Sequence, residues 1–192
     1  MGIENGMIKF LSELQMMKRK KREGLRTEGV ERPGSIAEHS FIVAHLARII
    51  AHYEGADIDK CIKMALFHDL GEARIGDGDK INKNYCGRQL EAQMKAIEDG
   101  SSRLEEELSR EMVELFNEKE ERRSLEARVV QDADWLEAAL QAKIYLERGY
   151  KGFQRWIVSV EKAVTTDTAK EIIRKLKETE GFVSCYLEEK KE

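Results

Sequence analysis

Apolar residues recur every three to four positions along most of the chain, the spacing that places them on one side of an α-helix. The first such series, from Met7 to Met17, predicts an amphipathic helix that ends at about Lys18. The same spacing predicts helices over residues 35–53, 88–99, 102–117, 124–148 and 153–163. No segment alternates apolar and polar residues as a strand does. The pattern therefore predicts an all-α protein, and we expect residues 1–192 to form one domain.

Hydrogen-bonding side chains mark several helix starts. The only proline, Pro33, precedes Ser35-Ile-Ala-Glu38, a capping box in which the two end side chains satisfy each other's backbone N–H groups. Further helix starts are predicted at Asp57 or Asp59, for a helix leading to His68, and at a second capping box, Thr168-Ala-Lys-Glu171. We expect the polar stretches at residues 23–34 and 78–84 to be loops.

Composition and charge narrow the class of protein. Hydrophobic residues make up 41% and charged residues 36% of the 192 residues, which suits a helical protein with solvated outer faces. A net charge of −4 argues against a general nucleic-acid-binding protein. Cys61, Cys86 and Cys185 lack metal-site spacing and are expected to be free thiols in a reducing cytoplasm. The absence of an 18-residue apolar run predicts no membrane span.

Candidate chemistry is concentrated in residues 65–77, where an apolar run ends in His68-Asp69 and is followed by Glu72 and Asp77. Neighbouring side chains diverge by about 100° in mid-helix, but at a helix end before Gly71 they can converge on one ion. Asp69 shares a helix side with apolar residues and should point into the core. A buried carboxylate needs a cation or strong hydrogen bonds. Asp69 could therefore cap a neighbouring helix, or it could bind a metal together with ligands from elsewhere.

A second histidine in the predicted core favours the metal hypothesis. His39 lies at the centre of the apolar side of the 35–53 helix, whereas His45 and His52 lie on the far side and should be solvated. A single inward histidine is more often a hydrogen-bonded core residue than a ligand. Here His68 and Asp69 also need a partner, so we favour a ligand role for His39. In the long helix over 124–148, spacing favours Asp134 only slightly over Asp132 as a further inward carboxylate.

The basic run Lys18-Arg-Lys-Lys-Arg22 follows the first predicted helix. It could be a solvated helix end, where cations interact favourably with the terminal carbonyls. It could also be an anion site just before the 23–34 segment. Nucleic-acid binding is a third possibility, which the acidic balance of the chain disfavours.

These motifs in this order resemble the HD-domain metal-dependent phosphohydrolases, and more narrowly the small branch that includes 5′-deoxynucleotidases. The similarity extends from about Leu11 to Glu147 and rests on Ser-Ile-Ala-Glu-His, His-Asp-x-x-Glu with Gly-Asp, and Asp-x-Asp-x-Leu-Glu. It implies a single HD-type helical bundle whose metal-site core spans about 35–147, with the N-terminal helix and the C-terminal helices packed on it. It also implies that four residues bind one divalent ion: His39, His68, Asp69 and Asp134.

The resemblance also implies roles around the metal. Glu72 would be catalytic, near the water that the metal binds, and Asp77 would handle substrate or take part in catalysis beside the sugar. Arg22 would bind phosphate, with Lys18 adding positive potential. Relatives commonly carry a tryptophan shortly after this arginine, whereas this chain has Gly24-Leu25, which leaves nucleotide selectivity open. Relatives often form dimers, so we expect a homodimer.

Two imidazoles and two carboxylates suit a divalent transition metal such as Mn, Co, Zn or Fe. The sequence thus predicts a cytoplasmic metal-dependent 5′-nucleotidase acting on (deoxy)nucleoside 5′-monophosphates as small-molecule substrates, without nucleic-acid or membrane partners. Within the enzymes, the alternative is an HD phosphodiesterase or triphosphohydrolase. Outside the enzymes, the alternatives are a metal- or nucleotide-binding regulatory module without turnover and a purely structural helical protein.

Overall fold

The computed structural model describes residues 5–86 and 89–185, in which the regular elements are helices and a single bridge pairs Lys21 with Ser35. The first half contains α1 (Asn5–Leu14), a 3₁₀ turn (Gln15–Lys18), α2 (Glu23–Thr27), α3 (Ile36–Glu54), α4 (Ile58–Phe67), α5 (Glu72–Ile75) and α6 (Lys80–Cys86). The second half contains α7 (Leu90–Ser101), α8 (Glu106–Glu121), α9 (Leu125–Glu147), a 3₁₀ turn (Lys151–Phe153), α10 (Gln154–Ala163) and α11 (Asp167–Glu178). The all-α prediction is confirmed.

Helix α9 is the central element of the fold. It packs against α3, α4, α8, α10 and α11, and its buried residues lie on several sides. A helix enclosed in this way is apolar around most of its surface. Helix α3 packs against both α4 and α9, so the elements that carry the candidate ligands form one packed group. A second apolar cluster, which includes Phe10, Ile36 and Phe116, joins the N-terminal helix to α5, α7 and α8.

Several predicted boundaries hold. Ser35 caps α3 through the predicted capping box with Glu38, and the helix ends at Gly55 in the left-handed conformation that glycine permits. Asp57, rather than Asp59, caps α4 by accepting a hydrogen bond from the backbone N–H of Lys60. His45 and His52 are exposed, as the helical period predicts.

Three local predictions are wrong. The expected loop over 23–34 contains α2, and the expected loop over 78–84 contains most of α6, which Asp79 caps by accepting from the backbone N–H of Asn82. The last helix begins at Asp167, because Thr166 rather than Thr168 accepts the capping hydrogen bond from Ala169. Two of these errors share one cause, because Asp79 and Thr166 were overlooked as capping side chains. The start of α2 has no local cap and depends on a hydrogen bond from the backbone N–H of Glu23 to the distant Asp77. No described helix is long and apolar enough to cross a membrane.

Candidate metal centre

Side chains from α3, α4 and α9 converge at one end of this packed group. The Nε2 atoms of His39 and His68 are 3.3 Å apart, and His39 Nε2 lies 3.2 Å from Asp134 Oδ1. Asp69 Oδ2 lies 3.2 Å from His68 Nε2 and 3.5 Å from His39 Nε2. Both histidines are buried, whereas the Asp69 and Asp134 side chains retain exposed fractions of 15% and 21%. The four residues therefore enclose a small volume that opens on the side of the carboxylates.

Local structure explains how each ligand candidate reaches this point. His39 lies in the first turn of α3, directly after the Ser35 cap, and His68 terminates α4. The chain then leaves the helix, so Asp69 need not diverge from His68 as it would in mid-helix. Gly71 follows, where a Cβ atom would lie 2.8 Å from the backbone oxygen of Gln93 on α7. A side chain is thus excluded at 71 by the close approach of α7.

The hydrogen bonds on the far side of each imidazole define its tautomer. His39 Nδ1–H donates to Glu137 Oε2 at 2.5 Å, and His68 Nδ1–H donates to the carbonyl of Ala65 at 2.6 Å. When both rings are neutral and protonated at Nδ1, each carries a lone pair at Nε2 and the two lone pairs face each other. In the metal-free protein a proton on His39 relieves this contact, in line with the raised pKa of that ring. A cation between them removes this conflict, and a partner at Nδ1 is the usual support of a metal-binding histidine. Two imidazole nitrogens and two carboxylates fit a divalent transition metal.

Charges around the centre keep its carboxylates ionised. Burial acts to raise the pKa of Asp69, but the charge and hydrogen bond of His68 have the larger, opposite effect, so the pKa lies well below its ordinary value. Burial opposes ionisation of Asp134 too, and the hydrogen bond from His39 and the charge of His68 hold its pKa well below normal. Burial lowers the pKa of His39, yet Asp134 and Glu137 outweigh this and raise it to about 9. The ionised carboxylates therefore attract positive charge to this point, carried either by a proton on His39 or by a bound cation.

Arg22 joins the metal centre to the predicted substrate residues. Its guanidinium lies 3.5 Å from Asp69 Oδ2 and 3.7 Å from Asp77 Oδ2. Burial acts to lower the pKa of Arg22, but Asp69 and Asp77 raise it above its ordinary value, so the cation persists at any physiological pH. Asp77 also accepts a hydrogen bond from the backbone N–H of Glu23 at 2.9 Å, which fixes the start of α2.

Of the remaining predicted site residues, Glu72 is buried, whereas Lys18 is exposed at the surface. Glu72 is buried at the start of α5, where its Oε1 accepts a hydrogen bond from Gln93. Lys18 is exposed at the end of the first 3₁₀ turn and does not line the cavities that adjoin Arg22. The expectation that Asp69 points into the core is met only in part, because its carboxylate is partly exposed and contacts Arg22 as well as the histidines.

The structure separates the two aspartates of α9. Asp132 is fully buried on the other side of the helix and accepts hydrogen bonds from the backbone and hydroxyl groups of Thr165 and Thr166. It therefore anchors the segment before α11. Asp134 instead faces the histidines and accepts a hydrogen bond from Gln131 Nε2 at 3.2 Å.

Sequence reasoning missed three residues at this site. Glu137 accepts a hydrogen bond from His39, and Gln131 donates one to Asp134. Both residues lie three positions from Asp134 on α9, so a search one helical turn before and after Asp134 would have found them. Lys119 is buried on α8 and paired with Glu120 at 2.9 Å. Burial lowers the pKa of Lys119, but the charges of Asp134 and Glu120 raise it above its ordinary value. Lys119 is therefore a second cation, besides Arg22, that interacts with the carboxylates of the centre.

Comparison with known proteins gives consistent matches. A family model described as HD domain matches residues 14–177, which include every predicted site residue. The 5′-deoxynucleotidase HDDC2 of Mus musculus is 35% identical over 147 residues, or 75% of this chain and 72% of that protein. The Homo sapiens protein of the same name is 34% identical over 148 residues, or 76% and 71%. A conserved hypothetical protein from Pyrococcus furiosus superposes with a TM-score of 0.75 at 30% identity, covering 90% of this chain and 99% of that one.

Proposed function

The chain belongs to the HD-domain family, and from that premise we propose that it is a metal-dependent 5′-nucleotidase that hydrolyses (deoxy)nucleoside 5′-monophosphates to nucleoside and phosphate. One observation carries the proposal: two histidines, each with Nδ1 already hydrogen-bonded, present Nε2 to a common point beside two ionised aspartates and an arginine. Among the described residues, His39, His68 and Asp134 form the one group of potential metal ligands whose donor atoms all lie within 4.8 Å of one another, and Asp69 Oδ2 lies beside it, 3.2 Å from His68 Nε2.

We propose that His39, His68, Asp69 and Asp134 hold one divalent ion. When bound, such an ion lowers the pKa of a water molecule and offsets the charge of a phosphate group. Glu137 and Ala65 keep the imidazoles in the tautomer that binds metal. The carboxylates of Asp69 and Asp134 then carry the charge that a divalent ion neutralises.

The remaining residues act on the substrate. Arg22 can donate two parallel hydrogen bonds to the phosphate, and Asp69 and Asp77 hold its guanidinium in place beforehand. Glu72, one turn beyond His68, can accept the proton of the attacking water or protonate the leaving sugar oxygen. Asp77 borders the cavity next to Arg22, so it is placed to contact the sugar. Lys18, exposed and apart from this cavity, would contribute only to the long-range attraction of the anionic substrate.

Phosphate release from a panel of ribo- and deoxyribonucleoside monophosphates tests the proposal. The full chain is stripped with a chelator and reloaded separately with Mn, Co, Zn or Fe. We expect metal-dependent release by the wild type, no release by Asp69→Asn, and wild-type release by Asp59→Asn, which changes an exposed aspartate on α4. Binding of nucleotides without hydrolysis under every metal would favour a regulatory module, and preferential cleavage of triphosphates or diesters would favour the other HD activities.

We also propose a homodimer formed through the outer side of α3. Phe41, Ile49 and Tyr53 share this side, with exposed fractions of 60%, 44% and 73%. Exposed apolar side chains clustered on one face are typical of protein interfaces. Light scattering coupled to size exclusion tests this: Ile49→Glu should give a monomer, whereas Ile8→Glu on α1 should leave the dimer intact. The free thiols of Cys61, Cys86 and Cys185 support a proposed cytoplasmic location.

A further inference from the structure

A cavity of about 510 Å³ opens beside Arg22 and Asp77. Its volume lies within the range of small-molecule sites in proteins. Both tryptophans of the chain, Trp135 and Trp156, line it. If Arg22 holds a phosphate, the rest of the molecule attached to that phosphate needs room next to Arg22, and this cavity supplies it.

Trp156 occupies a particular position in this cavity, because it also borders a smaller space of about 80 Å³ lined by Arg22, His39 and Glu137. The indole thus lines both spaces that adjoin Arg22. Its Nε1–H donates to Glu28 Oε1 at 3.0 Å, and the Phe153 ring packs against it with centroids 5.3 Å apart. Glu28 is itself paired with Arg155, so the ring is held in place before any ligand arrives.

Gly24 provides the space that the indole occupies. A Cβ atom at position 24 would lie 3.0 Å from Trp156 Cη2, a closer approach than side chains normally make. An indole from α10 therefore lies against the Gly24-Leu25 segment that follows Arg22. This contact joins residues far apart along the chain, which is why the sequence pattern does not reveal it.

We propose that the larger cavity is the nucleoside subsite and that Trp156 is the surface on which the nucleobase stacks, with Gly24 giving the indole its room. The inference rests on the proposed nucleotidase activity and names a substrate-binding residue for it. Stacking uses the π-face that every base possesses. The polar atoms nearest the indole are already engaged, since Glu28 bonds to Trp156 and Arg155. We therefore expect the protein to accept both purine and pyrimidine nucleotides.

Hydrolysis kinetics of one substrate that carries a nucleobase and one that lacks it test the assignment. Trp156→Leu keeps an apolar side chain against Phe153 but removes the ring, and it should raise KM for dAMP about tenfold, in the range expected for one base stacked on an aromatic ring. The value of kcat should change by less than about twofold, and hydrolysis of 2-deoxyribose 5-phosphate, which has no base, should be unchanged. Gly24→Ala, which pushes on the indole without straining α2, should shift KM for dAMP in the same direction. Equal effects on dAMP and the base-free substrate would overturn the proposal.

Fluorescence provides a measurement that does not depend on turnover. Trp135→Phe leaves Trp156 as the only tryptophan, and Trp156→Phe leaves only Trp135. Titration with dAMP should quench the first variant more strongly than the second, because Trp135 also lines the cavity but is not the ring on which the base is proposed to stack. Quenching of equal size in both, or in Trp156→Phe alone, would overturn the assignment of Trp156. If the wild type hydrolyses no monophosphate with any metal, the proposed activity fails, and this titration still decides the base subsite.

Discussion

Replacing Glu137 tests whether the carboxylate behind His39 tunes the metal centre. Glu137 lies on α9 one turn beyond Asp134, and its Oε2 accepts the Nδ1–H of His39 at 2.5 Å with both side chains nearly excluded from water. Glu137→Gln keeps an acceptor of similar shape but removes the charge. Glu137→Ala removes the acceptor too and leaves the Nδ1–H without its partner.

Loss of such an outer partner of a metal-binding histidine weakens metal affinity by about 10–100-fold. The short, buried, charge-assisted bond places Glu137→Ala towards the upper end, and Glu137→Gln at about tenfold, which corresponds to about 1.4 kcal/mol. At saturating metal the stabilisation conferred by the ion falls by the same amount. For a chain of this size, the metal-induced rise in Tm should then be smaller by roughly 3–6 °C in Glu137→Gln.

Titration calorimetry of the chelator-treated protein with Mn or Co gives the affinity, and thermal unfolding with and without metal gives the change in Tm. Glu126→Gln is the matched control, because it lies on the same helix near its start and contacts the backbone of Asp57 rather than a ligand. We expect the control to bind metal as the wild type does. Wild-type affinity in both Glu137 variants, with a normal fold, would refute the reasoning that this carboxylate supports the metal site.

Three further outcomes follow from the geometry. Asp132→Asn should lower the free energy of unfolding by about 2–4 kcal/mol in chemical denaturation, since one of two buried acceptor oxygens becomes an NH2 donor that faces the donors of Thr165 and Thr166. Metal affinity should be unchanged in that variant, whereas Asp134→Asn should abolish metal binding. The reverse result would exchange the two roles. The pKa of His39 is raised to about 9 in the metal-free protein, so the stability that its protonation contributes is complete below about pH 6.5 and is lost as the pH rises through 9. In urea unfolding, the free energy of unfolding should therefore fall between pH 6.5 and 9 with chelator present, but not with bound metal. An equal fall with and without metal would contradict this expectation. Gly71→Ala should cost about 1–3 kcal/mol of stability in thermal unfolding, because its Cβ would lie 2.8 Å from the Gln93 carbonyl oxygen; wild-type stability would show that α7 can move aside.

The sequence alone was sufficient for the helical class and for much of the grouping of the candidate ligands. The spacing of apolar residues gave α3, α4 and α9 and placed His39 inward, and the break before Gly71 indicated how His68 and Asp69 could act together. These features depend on neighbours within one or two helical turns, so they can be read from local order.

Tertiary structure decided what depends on contacts between distant segments. The side of α9 that meets the histidines distinguished Asp134 from Asp132, and the same packing brought Glu137 to His39. The meeting of α10 with α2 placed Trp156 against Gly24. Helical periodicity states which residues share a side of one helix, but not which helix covers that side. That choice is made by the packing of the whole core, because each apolar face is buried by whichever partner fits its shape.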